Sequence, residues 1–397
     1  MPLTITVGNS GADLNGTDDL IIQAAIEYVA AHGGGTVKLL PGTFHLSNSV
    51  RLRSGLALVG SGPETLLIKR PAATVAITDD TDWYDHHVTV ADASPFKVGG
   101  GVLLRANCPH SGSLQITITT VVGIEGNTLH LLDAGRGADV PAHVGNFWAD
   151  QQATASTLFS LVTANWAHDV RVADLRIDGN WAESMILNGN YGGALYFQDC
   201  ERVHLQGLEV GNMESDGLSF QIVHDLTVED CRFDNCSQGI HAGSGSQRPI
   251  MRGNTITNCP RFGMAWCWGV KHAIFEGNRI EQCGTASSIG HRDTDNVMRG
   301  NTFRRCGGGL AYRDDPQPQA AHDNLIEDNL FEDLGTPEYP GYGVEMLAPV
   351  HGNVFRHNRF VGRMKAAFLI GEQVEDVTIE GNVLEGVATE VEDRRTG

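Results

Sequence analysis

The chain has 397 residues, is 41% hydrophobic and 19% charged, and carries a formal net charge of −20. This balance suits a folded, extensively buried protein rather than a disordered one, and its sign argues against nucleic acid or an anionic membrane as partner. No apolar stretch reaches the length of a membrane span, and the 48 glycines and 14 prolines are dispersed, with no collagen period.

The start, Met1-Pro2-Leu3-Thr4-Ile5-Thr6, lacks the basic and apolar regions of a signal peptide. The expectation is a cytoplasmic protein, or a secreted one whose signal peptide is absent from this sequence. Thr17 is a candidate N-cap for a helix running from Leu20 to Ala31, with aspartates in its first turn and Gly33-Gly34-Gly35 as its stop. Strands follow at Thr36–Leu40, Val50–Leu52 and Leu56–Gly60, with a turn at Pro41-Gly42. Residues 79–155 carry alternating segments around Val88–Val90, Gly101–Arg105, Gln115–Thr119 and Thr128–Leu132, the pattern of a small antiparallel insert. Asp85-His86-His87 within it offers metal-ligand side chains, but adjacent strand residues point oppositely, which argues against a shared ion.

The run GADLNGTDD, helix, GGGTVKLLPGTFHL, then LALVGSG resembles the opening of the pectate-lyase-like superfamily of right-handed β-helix carbohydrate-active proteins. That resemblance implies a right-handed coil with a helix capping its open end. Among its members are polysaccharide lyases, glycoside hydrolases, uronate epimerases and phage tailspikes, so it speaks for fold and only weakly for activity. Trimers are common in the superfamily, which makes a homo-oligomer an expectation by resemblance alone.

From about residue 190 the chain repeats. Strand-like segments begin at Ala194, Gly217, Gly239, Gly263, Ala286, Gly309, Gly343 and Ala367, spaced 23, 22, 24, 23, 23, 34 and 24 residues apart. Each repeat also holds a corner: Gly253-Asn254, Gly277-Asn278, Gly300-Asn301, Asp328-Asn329, His357-Asn358 or Gly381-Asn382. Glycine and asparagine tolerate left-handed backbone there. Three short strands and no helical rhythm in about 23 residues indicate an all-β solenoid, a parallel β-helix. The division is 1–78 for cap and first rungs, 79–155 for the insert and 156–397 for the main coil. Cys236, Cys259, Cys283 and Cys306 share one column of the repeat. They read as reduced, small apolar filling of the interior, because metal ligation needs tighter spacing.

Alternation along the first strand of each rung sends Tyr196, Ser219, His241, Ala265, Ser288, Ala311, Glu345 and Leu369 outward in one row. Gln198, Gln221, Gly243, Cys267, Gly290 and Arg313 lie in a second, and Asp199, Ile222, Ser244, Trp268, His291 and Asp314 in a third at the turn. Small residues floor the middle rungs while ionisable and aromatic ones surround them, which suggests a cleft. The long loop Trp181–Tyr191 and excursions at 314–321 and 335–342 could wall it. Candidate catalytic residues are His291, Asp293, Asp314 and Glu345. Candidate substrate-binding residues are His241, Trp268, Arg292, Arg313, Asp216 and Gln221. Turn capping is the competing role for Asp293 and Asp295.

Paired carboxylates from Asp293, Asp314 and Glu345 would serve glycosidic hydrolysis. The Asn-Thr-Asp and Gly-His-Gly motifs of polygalacturonase-type hydrolases are absent. The alternative is a uronate lyase or C5-epimerase, with Arg313 neutralising a carboxylate and His291 or His241 as base. Calcium at Asp199, Asp216 or Asp293 would accompany a lyase, but no tight aspartate cluster is visible; otherwise no cofactor is expected. A non-catalytic glycan-binding β-helix is the third reading. All three take an oligo- or polysaccharide as partner.

Overall fold

A computed structural model of the chain describes residues 3–82, 85–107, 112, 114–132 and 145–395. Apolar alternation folds nearly every short segment into a strand that pairs in parallel with the equivalent segment of the next rung. The result is the right-handed parallel β-helix. One sheet has 13 strands and a second has 20. In a typical rung, Ile274–Glu276 joins the first sheet, whereas Phe262–Trp266 and Arg279–Glu281 join the second. The second sheet therefore wraps two faces, which the bent strands Glu209–Gln221 and Arg232–Gly243 connect.

Inside, like stacks on like. Phe233, Ile256, Ile280, Phe303, Phe331 and Phe360 form one column in register. Neighbouring rings lie 4.9 Å apart from Phe303 to Phe331 and 4.8 Å from Phe331 to Phe360. Each fully buried ring contributes roughly 2–3 kcal/mol. Cys236, Cys259, Cys283 and Cys306 are buried free thiols, with the Cys283 amide donating to Cys306 Sγ at 3.5 Å.

At the corners glycine and asparagine divide the work. Gly253, Gly277, Gly300 and Gly381 take left-handed φ values of 61–65°, and Asp328 and His357 do the same without glycine's freedom. The asparagines instead turn inward and form a ladder. Asn254, Asn278, Asn301, Asn329 and Asn358 each donate Nδ2 to Oδ1 of the next asparagine, ending at Asn382, over 2.9–3.0 Å.

The helix Asp19–Ala31 buries Ile22, Ala25, Ile26 and Val29 against the first rungs. Its cap is Asp18, whose carboxylate accepts from the Ile21 amide at 3.1 Å, not Thr17. The Thr17 carbonyl is already held by the His45 amide at 2.9 Å, so the cap falls one residue later. The insert sheet comprises Thr74–Ala76, His87–Thr89, Gly101–Asn107, Leu114–Glu125, Thr128–Leu131 and Thr154–Ser156, all antiparallel. It has a core of its own around Val88, Val102, Leu104, Val121, Leu129 and Phe147.

Candidate active site

The first-strand face carries the row Tyr196, Ser219, His241, Ala265, Ser288, Ala311, Glu345, Leu369 in direct rung-to-rung register. Beyond it, Asp199, Ile222, Trp268 and His291 all take left-handed φ values of 50–69°. This corner turns on non-glycine residues, the bulky Ile222, Trp268 and His291 among them. A bulky residue in that region costs on the order of 1 kcal/mol or more, so the row displays its side chains at the expense of backbone strain.

Two polar centres sit on this face. In the first, His241 Nδ1 lies 2.7 Å from Asp216 Oδ2, and Gln238 Nε2 donates to Asp216 Oδ1 at 2.7 Å. Both carboxylate oxygens are thereby engaged. Burial alone would depress the His241 pKa, but Asp216 and Cys267 outweigh it and raise it to about 9. The loop after Asn180 folds down over this centre: Ser215 and Ser219 donate to the carbonyls of Leu187 and Gly189. A Cβ on Gly189 would strike Asp216 Oδ2 and His241 Nδ1, so glycine is required for the close approach. Gln221 is only 7% exposed, and its Nε2 has no hydrogen-bond partner.

In the second centre, the Trp268 and His291 rings stack at 4.5 Å and 12°. Trp268 remains 42% exposed, a flat apolar surface facing solvent. His291 Nδ1 is 2.7 Å from Asp315 Oδ1, off the line of a well-aligned hydrogen bond. Its backbone amide donates to Asp315 Oδ2 at 2.7 Å. Burial, then the Arg313 charge, lower the His291 pKa against the pull of Asp315. His291 is therefore neutral at neutral pH. Asp315 fills the place beside His291 that the row alignment assigned to Asp314. The chain leaves the strand at Tyr312, which shifts the following side chains by one, and Asp314 is exposed.

Asp293 is completely buried. Its Oδ1 accepts from the amides of Gly269 and Val270 and its Oδ2 from that of Gly290, at 2.8–3.1 Å. Burial pushes its pKa up to about 7 despite those amides and Arg313. Its oxygens thus serve the turn and do not reach the open face. Arg313 is tied down as well: NH1 donates to Ser288 Oγ at 3.2 Å, NH2 to the Trp266 carbonyl, and NH2 lies 3.6 Å from Asp293. Arg292 is exposed and its amide donates to the Gln319 carbonyl. Glu345 is half-buried on the floor one rung beyond Ala311, and burial raises its pKa against Arg394 and Lys365.

The structure thus gathers Trp268, His291 and Arg313 in one cluster with Asp315, and Asp216, His241 and Gln221 in another with Cys267. Sequence reasoning placed Cys267 in the second outward row without a role. The signal available was its position one rung from His241 in an outward row, apart from the inward cysteine column. Among the described residues no group of three or more His, Cys, Asp or Glu side chains is placed to hold a metal ion.

A sequence model of the NosD family, described as periplasmic copper-binding protein, matches residues 176–364. No curated protein matches the sequence. Among solved structures, the Streptococcus pneumoniae surface protein and adhesin PfbA is 12% identical, with 94% of this chain and 95% of that one covered and a TM-score of 0.56. A hyperthermoactive exopolygalacturonase from Thermotoga maritima is 12% identical, with 94% and 88% covered and a TM-score of 0.50. Geobacillus virus E2 ORF18 is 10% identical, with 99% and 61% covered and a TM-score of 0.56. The fold is that of the pectate-lyase-like right-handed β-helix proteins.

Proposed function

We propose that the protein is a secreted carbohydrate-active enzyme that hydrolyses glycosidic bonds of an oligo- or polysaccharide bound along the first-strand face. The observation that carries this reading is Glu345: a half-buried carboxyl with a raised pKa, open to the same face as the Trp268–His291 platform. A carboxyl whose protonated form is favoured by burial is what a glycosidic leaving oxygen needs. Asp314, exposed one rung earlier, supplies the second carboxylate. Asp314 follows Ala311, the register partner of Glu345, by three residues, and an inverting mechanism would need the two carboxyls ~6.5–9.5 Å apart. Trp268 would stack a sugar ring. The likeness in fold to an exopolygalacturonase is consistent with this use of the scaffold, and the periplasmic description of the matching family with export.

A second reading has its own support. Neutral His291 beside Asp315 is a competent base for the C5 proton of a uronate, as a lyase or epimerase requires. It is weakened because Arg313, the expected carboxylate partner, has NH1 turned to Ser288 and NH2 to Trp266, and its remaining Nε is buried.

Incubation with a glycan panel separates the two. New reducing ends without unsaturated-uronate absorbance are expected, and Glu345→Gln should lower kcat at least 100-fold. Appearance of that absorbance, with Glu345→Gln active and His291→Ala dead, would replace hydrolysis by elimination. Trp268→Ala should raise KM about five-fold with kcat little changed, the loss of roughly 1 kcal/mol of stacking.

A further inference from the structure

We infer that Cys267, His241 and Asp216 form a second reactive centre on this face, in which the Cys267 thiol is an acyl-accepting nucleophile, His241 its proton partner and Asp216 the carboxylate that orients the imidazole. The substrate class is a carboxylic ester. An O-acylated sugar is the natural form if the face binds glycans as proposed above, and only that identity rests on the earlier reading.

The geometry follows the order nucleophile, base, orienting group that defines such centres. His241 Nδ1 is committed to Asp216 Oδ2 at 2.7 Å, which leaves Nε2 for the next rung. Cys267 stands on that next rung two residues past Ala265, the register partner of His241, and its charge acts on the imidazole. Asp216 is itself fixed by Gln238 at 2.7 Å and by the loop backbone packed against it at Gly189, so the imidazole cannot swing away. Cys267 is also unlike the other cysteines: Cys200, Cys231, Cys236, Cys259, Cys283 and Cys306 are buried free thiols, and Cys267 is the partly exposed one among the described cysteines. Trp268 beside it opens to solvent.

A second observation points to a ligand independently. Gln221 is more than nine-tenths buried, yet its Nε2 donates to nothing. A buried amide donor left unpaired is costly and calls for a functional reason. The amide lies over Gly243, where a Cβ would come within 2.4 Å of Nε2, and Gly243 is the row position between Gln221 and Cys267. In the proposed reaction this donor serves a negative oxygen forming beside Cys267, one row position on from Gly243.

The chemistry balances with water alone. Cys267 Sγ, starting from the ion pair in which His241 Nε2 already holds the thiol proton, forms a bond to the ester carbonyl carbon. The carbonyl π electrons move to oxygen, where Gln221 Nε2 can donate. Collapse breaks the bond to the alcohol oxygen, which leaves with the His241 proton and gives a thioester on Cys267. Water then adds to the thioester, yielding its proton to His241. Expulsion of the sulfur, reprotonated from His241, releases the carboxylic acid and restores the thiol.

The probe is an aryl acetate, which carries no sugar, so the result does not depend on whether any glycan is cleaved. Intact-mass and peptide analysis of the full chain at early times should show one acetyl group on Cys267. Cys267→Ala should abolish both the label and phenol release. His241→Asn should slow release by about 100-fold or more. Gln221→Ala should slow it about 10- to 100-fold through kcat. Melting curves for each variant separate loss of fold from loss of chemistry. Acetylation elsewhere, or phenol release unchanged in Cys267→Ala, overturns the inference. So does a folded wild-type protein whose Cys267 reacts only with soft metal ions and never with the ester.

Discussion

At the scale of single residues, His241 makes the protein's stability depend on pH. Its pKa is raised from 6.5 to about 9 in the folded protein, burial being outweighed by Asp216 and Cys267. A raised histidine stabilises fully below pH 6.5, and that contribution is lost as pH climbs through about 9. The loss should be on the order of 3 kcal/mol, seen as a falling Tm across that window. In Asp216→Asn the slope should flatten, and equal slopes in the two proteins would show that other groups control it. The residues also mark where sequence reasoning stops. Alternation along strands put Tyr196 through Leu369 in one row, because period two is strict while the chain stays extended. It lost register at Asp314 and Asp315, just past the end of the strand, where no periodicity governs. Nor could it foresee Gly189 descending onto Asp216 and His241, since that contact joins a loop to rungs with no pattern linking them.

At the scale of elements, the asparagine ladder and the glycine columns carry different kinds of strain. Asn301→Ala would strand the Asn278 amide donors, backbone and side chain, and the Phe275 carbonyl. The expected cost is roughly 3–5 kcal/mol by urea denaturation. Asn382→Ala at the last step should cost clearly less, because Asn382 is only partly buried and water can replace it. Two glycine substitutions form a matched contrast. Gly277→Ala meets no atom within 4 Å and must only hold φ at 62°, a penalty of about 1 kcal/mol. Gly309→Ala would put its Cβ 2.1 Å from the Gly343 carbonyl oxygen and 2.9 Å from Phe331, and should destabilise by several times as much. Comparable midpoints for the two variants would contradict the packing described. The reading of Gly-Asn pairs as corners caught the turn but not this division of labour. Both residue types favour left-handed backbone, and only the paired neighbours reveal which one takes it.

At the scale of the whole molecule, a solenoid shares stability between nearest neighbours. The first rungs are closed by the helix Asp19–Ala31, whereas Thr378–Glu380 and Val383–Glu385 alternate between exposed and half-buried. Hydrogen exchange should therefore be fastest in those last strands and slowest through Phe233–Phe331. Uniform protection along the coil would contradict a nearest-neighbour account. The ladder has one more consequence, and it concerns length. Its members are 24 and 23 residues apart up to Asn301, then 28 and 29 apart to Asn329 and Asn358, then 24 again, while every link keeps its 2.9–3.0 Å bond. The column behaves as an index pin: surplus chain is forced out as a bulge between two fixed marks and never pushes the following turn out of phase. Arcs could be lengthened, shortened or exchanged on the outer rim with the thread of the screw left intact.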